Sequence, residues 1–261
     1  MLLPRVLTAI VGIPVLIFLI HWGGLPYALF IVGVVALALH EYETVLSIGG
    51  RSPQRVMTIL SGSALALCLA VGGPIGLVLS ASVAAMLLLE MFSREHSLDR
   101  MALTLLGAVV FGWMLGHLVL IRELRPDGEK ITFMLFVAVW IMDTAAYAVG
   151  KTLGRHKLAA VISPKKTWEG AAGGFAAALI FVMGYRAAAL RETLTVGQAA
   201  GLGVLIGISG QLSDLAESMI KRAVGCKDSG NLLPGHGGLM DRFDSFILSA
   251  PIVYYYLSLV L

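Results

Sequence analysis

Charge is what this sequence has little of. Asp, Glu, Lys and Arg make up 13% of its 261 residues, about half of the share found in soluble globular domains. Apolar residues make up 58%, and the mean hydropathy is +0.88. A chain with so few charged side chains is not an ordinary soluble enzyme or binding module. The composition predicts a polytopic integral membrane protein.

Cysteine is almost as scarce. Cys68 lies in an apolar run and Cys226 in a charged segment, a pattern that predicts two free thiols and neither a disulfide framework nor a Cys-based metal site. Glycine, by contrast, is abundant at 30 residues. Small residues spaced by four along a helix let transmembrane helices approach closely. Three such pairs predict helix–helix packing surfaces: Gly112 and Gly116, Gly170 and Gly174, Gly203 and Gly207.

Long apolar runs predict an all-α protein with nine transmembrane helices. The predicted spans are Pro4–Ile20, Leu25–Leu39, Val56–Val71, Pro74–Phe92, Leu103–Ile121, Ile131–Val149, Gly170–Tyr185, Val196–Ser213 and Ser245–Leu261. Several are near the minimum length of about 17 residues. We expect the first span to be retained, and not cleaved as a signal peptide, because no small-residue cleavage site follows it.

The distribution of Lys and Arg predicts the orientation. With the N-terminus in the cytoplasm and the C-terminus outside, most of the 19 basic residues face the cytoplasm, as the positive-inside rule requires. Five face the other side: Arg122, Arg125, Lys130, Arg186 and Arg191. Most carboxylates fall on the cytoplasmic side too. The positive-inside rule does not account for that, but a cation site would.

One segment, residues 218–244, concentrates charge in this otherwise apolar chain. It holds four permanent cations, three carboxylates and a Gly-His-Gly-Gly turn: Lys221, Arg222, Lys227, Arg242, Asp228, Asp241, Asp244 and His236. Carboxylate oxygens suit Mg²⁺, while cations and glycine-rich turns suit phosphate. Acids at a helix start also stabilise the helix, but that alternative does not explain Arg242 between the two aspartates.

Three further polar groups precede or overlap that segment. Asp143 lies late in the sixth span, where an ionisable side chain is costly and suggests function, unless water reaches it from the cytoplasm. Lys165 and Lys166 follow Pro164 before the seventh span. They suit a lipid or nucleotide phosphate, or equally a positive-inside anchor. If residues 211–222 are helical, one face carries Asp214, Ser218, Lys221 and Arg222. The alternative there is a surface helix with intrahelical ion pairs.

The charged segment resembles the signature of the phosphatidate cytidylyltransferases, or CDP-diacylglycerol synthases. The matching residues are Ser218, Lys221, Arg222, Lys227, Asp228, His236, Gly237, Gly238, Asp241, Arg242 and Asp244. The runs 143–147 and 163–170 are similar to other segments of that family, and Arg5 and Glu41 match in the first half. Ser213 departs from the pattern, which has glycine there. The close resemblance covers residues 140–245.

The resemblance implies transfer of a cytidylyl group from CTP to phosphatidic acid, giving CDP-diacylglycerol and pyrophosphate in phospholipid synthesis. It also implies a Mg²⁺ cofactor, with a second cation left open, bound by Asp143, Asp214, Asp241 and Asp244. We expect the catalytic residues to be Lys221, Arg222, Lys227, Asp228 and Arg242, and the substrate-binding residues to be Ser163, Lys165, Lys166, Ser218, His236, Gly237 and Gly238. Residues 131–261 would form the catalytic region and residues 1–130 a scaffold with lipid access.

The partners expected are CTP, phosphatidic acid from the inner leaflet and membrane lipids, with no nucleic acid. A homo-oligomer is left open. We expect a bacterial inner membrane with the active site facing the cytoplasm. The rival enzymes are a CTP-dependent polyprenol kinase and a cytidylyltransferase for another lipid phosphate. A rival of another class, an ion-coupled transporter, would place its ionisable residues deep in broken helices, whereas here they crowd one face.

Overall fold

In the part of the chain that the structure describes, the protein is a helical membrane protein with one small β-hairpin. A computed structural model describes the backbone of residues 3–230 and 237–261, with side chains from residue 10 onward in those ranges. The helices are α1 (Leu3–Trp22), α2 (Gly24–Ile48), α3 (Arg55–Ala70), α4 (Ile75–Met91), α5 (Leu98–Glu123), α6 (Gly128–Leu153), α7 (Trp168–Ala189), α8 (Val196–Ala223), α9 (Met240–Phe243) and α10 (Phe246–Val260). The hairpin pairs β1 (Lys157–Ala159) with β2 (Ser163–Thr167).

A helix occupies each of the nine predicted positions. Within the described ranges, six segments are long and apolar enough to cross a membrane: α2, α5, α6, α7, α8 and the run Met240–Val260. The apolar helices Ile10–Trp22, α3 and α4 are shorter. The membrane class and the dominant helical architecture are therefore confirmed, whereas nine spans and the orientation of the termini stay predictions.

The chain divides into two compact units. Unit 1 comprises Met1–Leu120 and Lys221–Phe243, and unit 2 comprises Ile121–Ile220 and Asp244–Leu261. Both units therefore combine segments that are distant in sequence. The predicted functional division at residue 130 stays a prediction.

In unit 1, α2 and α3 pack against the middle of α5, where Ala108–Met114 is π-helical. The approach is close because glycines face each other: a Cβ on Gly112 would lie 2.4 Å from Cα of Gly62. The buried aromatic rings of Tyr42 and Phe111 fill the space beside this contact. The Tyr42 hydroxyl donates to the Leu103 carbonyl at 2.9 Å, which satisfies a polar group in an apolar core.

In unit 2, α6 and α7 form an extensive antiparallel pair. A Cβ on Gly170 would lie 2.7 Å from the Ala146 carbonyl oxygen, and one on Gly174 would lie 2.8 Å from that of Met142. Gly203 and Gly207 of α8 face α7 in the same way. All three predicted glycine pairs therefore lie at helix contacts, since Gly112 and Gly116 face α3.

The hairpin between α6 and α7 is the main departure from the all-α prediction. Glu169 closes its base, because its carboxylate accepts the backbone N–H groups of Arg155 and His156 at 3.1 and 3.2 Å and contacts the His156 ring at 2.6 Å. Thr167 ends β2 and caps α7, its hydroxyl accepting the Gly170 N–H at 3.2 Å. These local contacts convert a charged loop into paired strands.

Candidate active site

The predicted site residues fall into two groups, one in each unit. Unit 1 holds Lys221, Arg222, Lys227, Asp228, Gly237, Gly238, Asp241 and Arg242. Unit 2 holds Asp143, Ser163, Lys165, Lys166, Asp214, Ser218 and Asp244. His236 lies outside the described residues.

Asp241 is the centre of the unit 1 group. Its Oδ1 accepts the ammonium of Lys221 at 2.7 Å, and its Oδ2 accepts the N–H groups of Gly238 and Ser229 at 3.1 and 3.2 Å. A carboxylate offers about four acceptor directions. Donors among the described residues therefore use three of them, which leaves one direction on Oδ1 for a cation.

The other cations of the unit 1 group, Arg222, Lys227 and Arg242, are exposed. Arg222 donates to the Cys226 carbonyl at 2.6 Å, at the turn that ends α8. The side chains of Lys227, Asp228 and Arg242 are exposed as well. An incoming polyphosphate can reach an exposed side chain, whereas Lys221 is buried against Asp241.

Glu41 belongs to the same group, although the sequence did not place it in the site. It lies on α2, is 3% exposed, and accepts hydrogen bonds from Ser229, Leu239 and Met240. The predicted second span ends at Leu39, so the rule that an ionisable residue within a span suggests function does not reach Glu41. The observed helix continues to Ile48 and includes it.

Carboxylates gather around Asp244 in unit 2. Asp143 from α6 and Asp214 and Glu217 from α8 are close enough to interact electrostatically with it. Ser245 links two of these acids, because its N–H donates to Asp244 at 2.6 Å and its hydroxyl to Asp143 at 3.4 Å. Because carboxylates that are close together repel one another, a cation bound between them would be favoured.

Lys166 brings a positive charge to this group. Its Nζ lies 2.6 Å from Oδ2 of Asp214, with both side chains between one quarter and one third exposed. Lys165, the preceding residue on β2, is exposed. The two lysines that the sequence treated as a pair therefore have different surroundings.

α8 confirms the helical spacing that the sequence required. The Ser218 hydroxyl donates to Asp214 at 3.4 Å one turn away, so these two side chains share a face. Ser213 is also buried on α8: its hydroxyl donates to the Asp244 carbonyl and accepts the Leu248 N–H at 3.0 Å. The serine that departs from the family pattern thus bonds the backbone that carries Asp244.

The donor chemistry of unit 2 fits a hard divalent cation, because all of its ligand candidates are carboxylate oxygens. Among the described residues, however, no three His, Cys, Asp or Glu side chains form a ready cage for a metal ion. Mg²⁺ in phosphoryl-transfer sites is usually held by one or two carboxylates together with substrate phosphates. A cage formed by the protein alone is therefore not required.

Comparison with known proteins identifies the family. The model of the cytidylyltransferase family matches residues 3–260. The phosphatidate cytidylyltransferase of Bacillus subtilis (strain 168) is 34% identical over 98% of this chain and 97% of its own length. The protein of the same name from Synechocystis is 32% identical over the same shares, and that from Brucella suis is 43% identical over 57% of this chain and 54% of its own length. The resemblance seen in the sequence is thereby confirmed: the chain belongs to the cytidylyltransferase family and is a nucleotidyltransferase.

Proposed function

We propose that this protein transfers CMP from CTP to phosphatidic acid, forming CDP-diacylglycerol and releasing pyrophosphate. The observation that carries the substrate assignment is the match over nearly the whole chain to relatives named phosphatidate cytidylyltransferase. The two groups of charged residues support the type of reaction, because they supply cations for phosphates and carboxylates for a metal ion.

The reaction exchanges one P–O bond for another. A phosphate oxygen of phosphatidic acid attacks the α-phosphorus of CTP, the bond from that phosphorus to the bridging oxygen breaks, and pyrophosphate leaves with the electron pair. The nucleophile is already ionised near neutral pH, so the protein needs no strong general base. Its contribution is positioning and charge neutralisation.

Exposed cations suit the CTP triphosphate and the leaving pyrophosphate. We assign this role to Arg222, Lys227 and Arg242 of unit 1. Lys221, a further catalytic candidate, forms an ion pair with Asp241. We assign the phosphatidate headgroup, or a CTP phosphate, to Ser163, Lys165 and Lys166 of unit 2. Gly237, Gly238, Ser218, His236 and Asp228 complete the proposed substrate and catalytic set.

A divalent cation, best Mg²⁺, would be held in unit 2 by Asp143, Asp214 and Asp244. Asp241 of unit 1 is a separate metal-ligand candidate, with one acceptor direction left on Oδ1 among its described contacts. When bound, such an ion neutralises phosphate charge and fixes the geometry of the triphosphate. The carboxylates of unit 2 support this proposal, since their mutual repulsion is relieved by a cation. A second cation stays open.

We further propose a bacterial inner membrane with the site on the cytoplasmic side, where CTP is made. The bacterial relatives and the positive-inside distribution of Lys and Arg support both proposals. Phosphatidate would enter sideways from the inner leaflet.

The test uses purified protein in detergent with phosphatidate, Mg²⁺ and CTP labelled at either the α- or the γ-phosphate. We expect the α-label in lipid and the γ-label in pyrophosphate. Both products should be lost in Asp241→Asn and, at the Mg²⁺ concentration that suffices for wild type, strongly reduced in Asp244→Asn. Transfer of the γ-label to lipid would identify a lipid kinase instead. Transfer of CMP to another lipid phosphate, but not to phosphatidate, would overturn the substrate assignment.

A further inference from the structure

We propose that Glu41 is a positioning residue that holds the turn before Asp241 in its active geometry. Glu41 lies on α2, 3% exposed, within a helix apolar enough to span the membrane. A buried carboxylate is costly unless hydrogen bonds compensate it. Its partners therefore indicate why a carboxylate is present at this position.

All three described partners of the Glu41 carboxylate come from the signature segment. Oε1 accepts the N–H of Leu239 at 2.9 Å, and Oε2 accepts the N–H of Met240 at 2.7 Å and the hydroxyl of Ser229 at 3.2 Å. Hydrogen bonds to charged groups are about twice as strong as neutral ones. Glu41 therefore fixes a turn that lies about 200 residues further along the chain.

Glu41 and Asp241 together accept the backbone N–H groups of the turn. The N–H groups of Gly238, Leu239 and Met240 are consecutive; the first donates to Asp241 and the other two to Glu41. Ser229 is shared, since its N–H donates to Asp241 and its hydroxyl to Glu41. Removing Glu41 would leave the N–H donors of Leu239 and Met240, immediately before Asp241, without their acceptor. The turn would then no longer hold Asp241 in position to pair with Lys221.

The fit around Glu41 is tight. A Cβ on Gly238 would lie 1.8 Å from the Ser229 hydroxyl and 2.5 Å from Oε2 of Glu41. The turn therefore closes directly on the carboxylate, with no space for another side chain. Simple packing does not explain the residue type, because an apolar side chain would fill the space without the desolvation cost.

The test compares Glu41→Gln and Glu41→Asp with Glu43→Gln. Glutamine keeps the shape of Glu41 but replaces one acceptor oxygen with a donor, which opposes the N–H groups of the turn. Glu43 is the matched control: it lies on the same helix, is 2% exposed, and interacts with Thr58 and Arg55 outside the signature segment.

The inference rests on the proposed function for its kinetic readout. In detergent, we expect Glu41→Gln to lower kcat about 100-fold, the size of effect that a misplacement of about 1 Å produces. The KM for CTP should stay near wild type. Glu41→Asp should recover part of kcat, and Glu43→Gln should retain the wild-type value. Unchanged kcat in Glu41→Gln, or an equal loss in Glu43→Gln, would overturn the proposal.

Hydrogen exchange supplies a readout that does not depend on the reaction. The amides of Leu239 and Met240 should exchange faster in Glu41→Gln than in wild type and Glu43→Gln. Unchanged exchange would overturn the positioning role even if phosphatidate is the substrate. Faster exchange together with a wild-type protein that makes no CDP-diacylglycerol would leave the positioning role supported and the proposed function refuted.

Discussion

Lys166 on β2 forms an ion pair with Asp214 on α8, with 2.6 Å between Nζ and Oδ2. The pair joins a residue proposed to bind phosphate to one proposed to bind a metal ion. Both side chains are partly exposed, so the pair adds little to stability and its value lies in placing a cation beside the carboxylates.

We expect Lys166→Ala to lower kcat about 100-fold, as loss of a single charge-stabilising donor commonly does. Lys165→Ala should cause a smaller loss, because Lys165 is exposed and lies outside this ion pair. Initial rates of CDP-diacylglycerol formation measure both. Equal losses would show that the two lysines act as one basic patch.

Ser213→Ala should destabilise unit 2. The substitution removes the acceptor of the Leu248 N–H and the donor to the Asp244 carbonyl, and a buried unsatisfied group costs about 1–3 kcal/mol. We expect a lower thermal midpoint in detergent and a higher Mg²⁺ requirement, since Asp244 loses its backbone anchor.

Ser209→Ala is the matched control for that change. Ser209 is buried one turn earlier on α8, but its hydroxyl donates only to the Leu205 carbonyl of its own helix among the contacts described. Its midpoint should stay close to wild type. If both alanine variants lose the same stability, the hydrogen bond between Ser213 and Leu248 of α10 does not stabilise unit 2 more than a bond within α8 does.

Gly238→Ala should abolish activity. The added methyl group would overlap the Ser229 hydroxyl and the Glu41 carboxylate, so the turn must open and Asp241 must move. Gly33→Ala on α2 is the comparison, because a Cβ there meets nothing within 4 Å. Product formation and folded yield, measured for both variants, would contradict the prediction if Gly238→Ala behaved like Gly33→Ala.

Removal of divalent metal should stop the reaction and Mg²⁺ should restore it. In Asp244→Asn we expect the Mg²⁺ concentration for half-maximal rate to rise at least tenfold, since one carboxylate leaves the group around it. Asp143→Asn should raise it less, because that side chain is exposed. Full activity in the presence of a strong chelator would refute the metal proposal.

Single cysteines should report the orientation. Val161, 89% exposed at the tip of the hairpin, lies on the predicted cytoplasmic side, and the exposed Glu192 lies on the other. An impermeant thiol reagent should label Glu192→Cys in intact cells but Val161→Cys only after the inner membrane is opened. The native Cys68 and Cys226 are buried. The reverse pattern would invert the topology.

The sequence predicted the helices well because a run of about 20 apolar residues has few alternatives in a membrane. It missed the hairpin, since the charged residues around Lys157 and Lys165 are equally typical of a solvated loop. Three-residue and five-residue strands leave little periodicity to detect, and the contact that closes them, between Glu169 and the N–H of Arg155, spans 14 residues.

For the candidate site, the sequence named residues but did not predict most of the contacts that they make. The spacing of Asp214 and Ser218 correctly predicted that they lie on one face of α8, because helical geometry is local. The bonds from Glu41 to Leu239 and Met240 join residues about 200 positions apart, and no local pattern encodes such pairing. The same holds for Ser213 and Leu248, whose contact depends on how α8 packs beside α10.

The hairpin has a consequence for the energetics of the phosphate binding proposed for Lys165 and Lys166. On a flexible loop, Lys165 and Lys166 would lose backbone and side-chain freedom each time a phosphate arrived, and that loss weakens binding. On β2, clamped at its base by Glu169 and Thr167, the backbone is already ordered. The entropy of ordering is therefore lost once, when the chain folds, and each encounter with a phosphate begins from a strand that is already in place.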